Sequence, residues 1–159
     1  MKIKLICLGK IREPYLIEGI KEYLKRLQGY AKVEIIELSE TKIGAEFNQK
    51  QIDLALTNEA SKIEKYLDGK DFVIILDVNG QTIDNYEYVE MINTACLNGY
   101  STFSFIIGSS HGIATTIKAK SNFNWSFSKL VFTHQMIRLL CLEQIYRGFK
   151  IMAKEPYHK

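Results

Sequence analysis

The run Phe72-Val73-Ile74-Ile75-Leu76 is apolar at every position, so it has no face to offer water. A strand of that kind has to be covered on both sides, as the strands of parallel sheets are. Lys2 to Leu8, Val33 to Leu38, Thr102 to Ile107 and Trp125 to Phe132 supply the other strand candidates. Between them the apolar period changes from strand-like to helical. Tyr15 to Leu27 places apolar residues or glycine at Tyr15, Leu16, Gly19, Ile20, Tyr23, Leu24 and Leu27, with Pro14 as a start signal. A second helix runs through Ile52, Leu54, Leu56, Ile63 and Leu67, and a short one starts after Gly112. Asn79-Gly80 would suit a hairpin, but Tyr88, Val89, Ile92 and Cys96 give Asn85 to Leu97 the spacing of a crossover helix. Strands alternating with helices predict an α/β fold with a mostly parallel sheet flanked by helices.

His134 to Met152 reads as a long last helix whose apolar residues cover more than one stripe. Such a helix needs cover on more than one side. In 159 residues a second copy is the expected cover, which makes a two-fold homodimer the first expectation and a central helix within a monomer the second. No linker or repeat divides the chain, so one domain over residues 1–159 is expected, with Ser39 to Lys50 its only loose segment.

A net charge of +3 permits a polyanionic partner but lacks the Lys/Arg excess of a nucleic-acid-binding tail. Cys7, Cys96 and Cys141 are far apart and set in apolar runs, which predicts buried free thiols rather than disulfides or a metal clip. His111, His134 and His158 lack zinc spacing, so no metal is expected. Met1-Lys2 leads straight into a strand, without a signal-like segment or a membrane span, and a cytoplasmic location off the membrane is expected.

Polar chemistry gathers late in the chain. Glycine and hydroxyl residues follow the strands at Asp77 to Gly80, at Gly108-Ser109-Ser110-His111-Gly112 and around Phe127 to Phe132, and the carboxyl edge of an open α/β sheet is where ligands bind. Gly108 to Gly112 has no P-loop ending, and only Gly9 follows the first strand, so the familiar phosphate cradles are disfavoured.

Gly108 to Gly112, Ser126-Phe127-Ser128-Lys129, His134-Gln135-Met136-Ile137-Arg138, Glu143-Gln144-Ile145-Tyr146-Arg147 and Pro156-Tyr157-His158-Lys159 together resemble the bacterial large-subunit rRNA pseudouridine-N3 methyltransferases of the SPOUT superfamily. Leu8-Gly9-Lys10 and Tyr23 to Leu27 fit as well, so the likeness covers essentially the whole chain. It implies a trefoil α/β knot built mainly from about residue 72 to 159, a homodimer, S-adenosylmethionine as methyl donor, and 23S rRNA, on the assembled ribosome, as acceptor. Cofactor contacts are then expected at Leu76, Gly108, Phe127, Ser128, Lys129, Leu130, Val131 and Phe132.

By the same likeness Tyr157 and His158 place the uracil ring and handle its proton, while Arg138 and Arg147 bind phosphate or developing oxygen charge. Arg147 is equally well placed to pair with Glu143 one turn away, and Leu76, Leu130 and Phe132 would otherwise read as ordinary core. Lys10, Arg12, Arg26, Lys154 and Lys159 are candidate phosphate anchors. Tyr15 and Tyr23 fit the core better than base stacking. The chain departs from the family pattern at Ser109, Thr133 and Lys159, and Ser109 is expected to place a side chain beside the cofactor. Two other classes stay open: an RNA-binding protein on the same scaffold without methyl transfer, and a dimeric module for another adenine nucleotide.

Overall fold

A computed structural model describes residues 1–44 and 46–157. Its elements run β1 (Lys2–Leu8), α1 (Pro14–Leu27), β2 (Lys32–Leu38), α2 (Gln49–Glu64), β3 (Phe72–Gln81), α3 (Asn85–Leu97), β4 (Thr102–Ile107), α4 (Thr115–Lys118), β5 (Phe123–Trp125) and α5 (Met136–Met152). The five strands lie in the order β2-β1-β4-β3-β5. Every pairing is parallel, and the apolar run of β3 lies inside the sheet while the half-polar β2 forms an edge.

Alternation along the strands divides the interior into two cores. Ile3, Leu5 and Cys7 of β1 share one face with Ile74, Phe103, Phe105 and Ile107, and there they meet Ile20 and Leu27 of α1, Tyr88 and Ile92 of α3, and Leu142, Ile145 and Phe149 of α5. Ile6 and Leu8 share the other face with Val73, Ile75 and Ile106, under Ala60 and Ile63 of α2 and Ile117 of α4. Close backbone approach sets α5 in its layer: a Cβ on Gly148 would stand 2.5 Å from the Tyr88 ring.

Capping boxes start α2 (Asn48 with Gln51) and α3 (Asp84 with Glu87). The second of these, and the extension of β3 to Gln81, settle the fate of Asn79-Gly80: it lies in an irregular strand end where Gln81 pairs with Trp125. A Cβ at Gly80 would be 2.5 Å from the Asn124 carbonyl oxygen, so only glycine fits there.

The last strand differs from expectation. Only Phe123–Trp125 pairs, not Trp125 to Phe132. Past Trp125 the chain leaves the sheet edge: Ser126 N–H donates to Gln81 O (2.9 Å), Leu130 N–H donates to the Ser128 hydroxyl (3.0 Å), and Leu130 and Val131 are 72% and 84% exposed. Segment 126–135 instead crosses the carboxyl ends of the strands, and α5 begins at Met136. Two side chains also depart from their expected burial. Cys96 is exposed, whereas Cys7 and Cys141 are buried, and burial pushes the Cys7 thiol up to about 12. Tyr15 is 62% exposed, because it sits on the solvent side of α1.

Candidate active site

The crossing segment roofs a cavity of about 510 Å³ over the carboxyl ends of β3, β4 and β5. Its floor and walls are mostly apolar, from Leu76, Ile107, Ile113, Trp125, Phe127, Phe132 and Ile137. Of the expected cofactor contacts, Leu76, Gly108, Phe127, Ser128, Leu130, Val131 and Phe132 all line it, and Lys129 does not. Leu130, at 72% exposure, is no core residue.

Local hydrogen bonds explain the shape of the roof. The Ser126 hydroxyl donates to Val78 O (3.1 Å) and Ser128 O (3.0 Å), tying the crossing segment to the end of β3. Gly108 is also required by the local fold. The turn that follows it folds back, closed by Gly112 N–H to Ser109 O at 3.0 Å, and a Cβ on Gly108 would stand 2.4 Å from Gly112 O. The glycine makes room for its own loop.

Sequence reading missed the charges in this cavity. Asp77, at the end of β3, pairs with Lys118 of α4, and both line the wall. Burial pushes the Asp77 carboxyl up, but the Lys118 ammonium and the Asn79 N–H outweigh it and hold the group below its ordinary range. An aspartate directly after a strand was a legible signal, whereas Lys118, 41 residues away, had none. His134 also lines the cavity, and its Nε2 would be 3.4 Å from a Cβ on Gly9.

Ser109 lines the cavity, and its hydroxyl donates to Glu59 Oε2 at 2.9 Å. Glu59 is 3% exposed, and its other oxygen accepts from Thr41 N–H at 2.8 Å. Replacing Ser109 with Gly removes one of these donors from a buried carboxylate. The expected cost is about 1–2 kcal/mol, read as a fall in Tm of about 2–8 °C in calorimetry.

Arg138 is fully buried and saturated. Its guanidinium donates to Glu37 (2.8 Å), Leu8 O (2.7 Å), Gly9 O (2.9 Å) and His134 O (3.2 Å). That geometry makes it a fastening between β1, β2 and the start of α5, out of reach of a phosphate.

The other expected catalytic groups lie elsewhere. Arg147 donates from Nε (3.1 Å) and Nη2 (2.5 Å) to Glu143 Oε1, and its guanidinium stands 4.9 Å from the centre of the Tyr157 ring. The Tyr157 hydroxyl donates to Glu143 Oε1 at 3.2 Å and lies 3.4 Å from the Tyr23 hydroxyl. Burial, then Tyr23 and Glu143, push that phenol well above its ordinary range, so it stays protonated at neutral pH. Glu143 is the hub of this cluster, and its pairing with Arg147 is the one that their one-turn spacing offered. His158 and Lys159 lie outside the described residues.

From Ile137, which lines the cavity, to Glu143 and Arg147 is about 9–15 Å along α5, with a quarter to a third of a turn, roughly, around it. Within one chain the cavity and the tail cluster are therefore apart. Among the candidate anchors, Lys10 and Arg12 flank the cavity side, with Arg12 N–H donating to Gln135 Oε1 at 2.7 Å, while Arg26 pairs with Glu22 beside the tail cluster. Among the described residues no group of three or more His, Cys, Asp or Glu could hold a metal, and no helix is long and apolar enough to cross a membrane.

The family model described as predicted SPOUT methyltransferase matches residues 1–158. Proteins named ribosomal RNA large subunit methyltransferase H are similar over the full length of both chains: 42% identical in Syntrophomonas wolfei, 41% in Enterococcus faecalis and 42% in Streptococcus pyogenes.

Proposed function

The chain belongs to the SPOUT methyltransferase family, and we propose that it transfers a methyl group from S-adenosylmethionine to N3 of a pseudouridine in 23S rRNA, on the assembled ribosome. The observation that carries this reading is the cavity of about 510 Å³, within the range of small-molecule sites, walled by the residues the family likeness assigns to the cofactor.

The residues present suit that ligand. Apolar walls at Leu76, Leu130 and Phe132 fit a flat adenine, the backbone of residues 127–132 offers hydrogen-bonding groups for its edge, and the Asp77 carboxylate is an acceptor for hydroxyl or ammonium groups. The bound cofactor supplies an electrophilic methyl on a sulfonium, for in-line displacement by the base nitrogen. What remains for the protein is to orient the uracil, keep water out and take the imide proton. Tyr157, whose O–H is held by Glu143, helps to place the ring; Arg147, aimed by Glu143, faces the oxygen or phosphate charge; we assign the proton to His158.

Those groups reach a cavity only if a second copy brings them, since α5 separates them within one chain. The active form is then a two-fold dimer with each cavity closed by the other copy's tail. No residue of α5 is fully exposed by its own fold, and Met136, Leu140, Glu143 and Arg147 keep a minor part of their surface open, which a second copy can cover. A knot fits too, because segment 126–135 leaves the sheet edge, passes the turns after β3 and β4, and brings α5 back against α1 and α3.

Assembled ribosomes purified from cells lacking this protein, with their large subunits for comparison, test the reading. Incubated with it and S-adenosylmethionine, they should gain one methyl on one pseudouridine by mass mapping. S-adenosylmethionine at a hundredfold excess over its Kd should stabilise the protein by about 2.7 kcal/mol, and ATP or NAD should not. Binding of subunits without cofactor stabilisation or methyl gain would mark an RNA-binding protein instead.

A further inference from the structure

Beside the cavity mouth, two loops that are neighbours only in space present an aromatic pair. Phe47, between β2 and α2, is 50% exposed and meets the His111 ring edge-on, with centroids 5.2 Å apart and planes at 76°. His111 sits between Ser110 and Gly112, both of which line the cavity. Phe47 belongs to neither core.

The loop that carries it is fastened rather than loose. At one end Glu40 accepts from the Ser110 hydroxyl (3.3 Å), and Thr41 N–H and the Ser109 hydroxyl converge on Glu59. At the other end the Asn48 capping box fixes the entry into α2. A large ring held half in water, next to a ligand cavity and buttressed by a second ring, has an open face for another flat group. Lys42 and Lys50, exposed on either side of it in sequence, supply positive charge for a phosphate.

We propose that Phe47, backed by His111, is a stacking platform for an unpaired RNA base next to the one that enters the cavity. This rests on the reading of the chain as an RNA methyltransferase. Stacking on an aromatic face tolerates any base and is a recurrent way of holding nucleotides splayed out of a helix. The 109–112 turn then bounds the cofactor cavity on one side and supports the platform on the other, so target and neighbouring base are placed by one structural unit.

The test measures cosedimentation of wild type, Phe47→Ala, Phe47→Leu and Phe47→Trp with unmethylated large ribosomal subunits, together with Tm and S-adenosylmethionine affinity. Phe47 also precedes the cap of α2, where an apolar residue often packs on the helix. Leucine keeps that packing and lacks a stacking face. Ala and Leu should each weaken subunit binding five- to hundredfold, Trp should stay within about twofold of wild type, and cofactor affinity should be the same in all four. Leu binding as wild type does, or Ala without effect, overturns the platform. So does a change of oligomeric state in Ala with subunit binding intact, which would make the patch a protein contact. Methyl transfer by the wild type is scored on the same subunits: its absence counts against the proposed function, while dependence of binding on Phe47 still decides the platform.

Discussion

Two variants that are each inactive should together recover about a quarter of wild-type methyl transfer when mixed as dimers. The first is Gly108→Ala, in which the new methyl would stand 2.4 Å from Gly112 O and 2.6 Å from Ile113 Cγ1, so the turn behind the cavity cannot close. The second is Arg147→Ala, which empties the tail cluster of the cation that Glu143 and Tyr157 hold. If each cavity works with the other copy's tail, a mixed dimer has one site with both defects and one with neither. Random exchange makes about half the dimers mixed, and one site in each is intact. If cavity and tail of the same chain worked together, every site would carry a defect and the mixture would stay silent. Either variant alone should lose activity by two orders of magnitude or more, in line with misplaced or missing transition-state contacts. The measurement is incorporation of labelled methyl into large subunits after the two proteins are coexpressed, and a silent mixture rejects the shared site.

Arg138→Leu should lower stability by about 3–5 kcal/mol, because it strands Glu37 and leaves buried carbonyls without donors. For a chain of this length that is a fall in Tm of about 6–20 °C. The guanidinium is 0% exposed and its Glu37 partner 35%, so the lower part of the range is expected. The cavity should suffer along with the fold. Arg138 grips Gly9 O and His134 O, and His134 forms part of the wall, so S-adenosylmethionine affinity should drop at least about tenfold. Arg138→Lys keeps the charge but cannot serve four acceptors from a planar fork, and should fall between wild type and Leu. A Leu variant with unchanged Tm and lost turnover would overturn the fastening and restore the chemical role that the sequence suggested.

Most of the fold was legible because its signals are local. An all-apolar run such as Phe72 to Leu76 admits only a strand covered on both faces, and the periods of α1 and α3 admit only helices. Trp125 to Phe132 misled because β-rich composition says nothing about partners: β5 has one neighbour, and after Trp125 the chain's donors find Gln81 and Ser128 instead of a strand. The residues expected at the cofactor were read through likeness to a family, and seven of those eight line the cavity. The chemistry of the remaining candidates depended on long-range contacts. Arg138 meets Leu8 across 130 residues, and Lys118 meets Asp77 across 41, distances over which no periodicity carries information. The Glu143–Arg147 pair was legible, since the two stand one helical turn apart and such pairs are a local rule.

The bond from Arg138 to Leu8 has a bearing on synthesis. The ligand cavity takes walls from residue 76 to residue 137, and its first strand is clamped by the residue after that. A nascent chain therefore has no pocket for most of its translation. Any ligand of this cavity has to wait until α5 has cleared the exit tunnel, so products truncated before it have no complete site to offer.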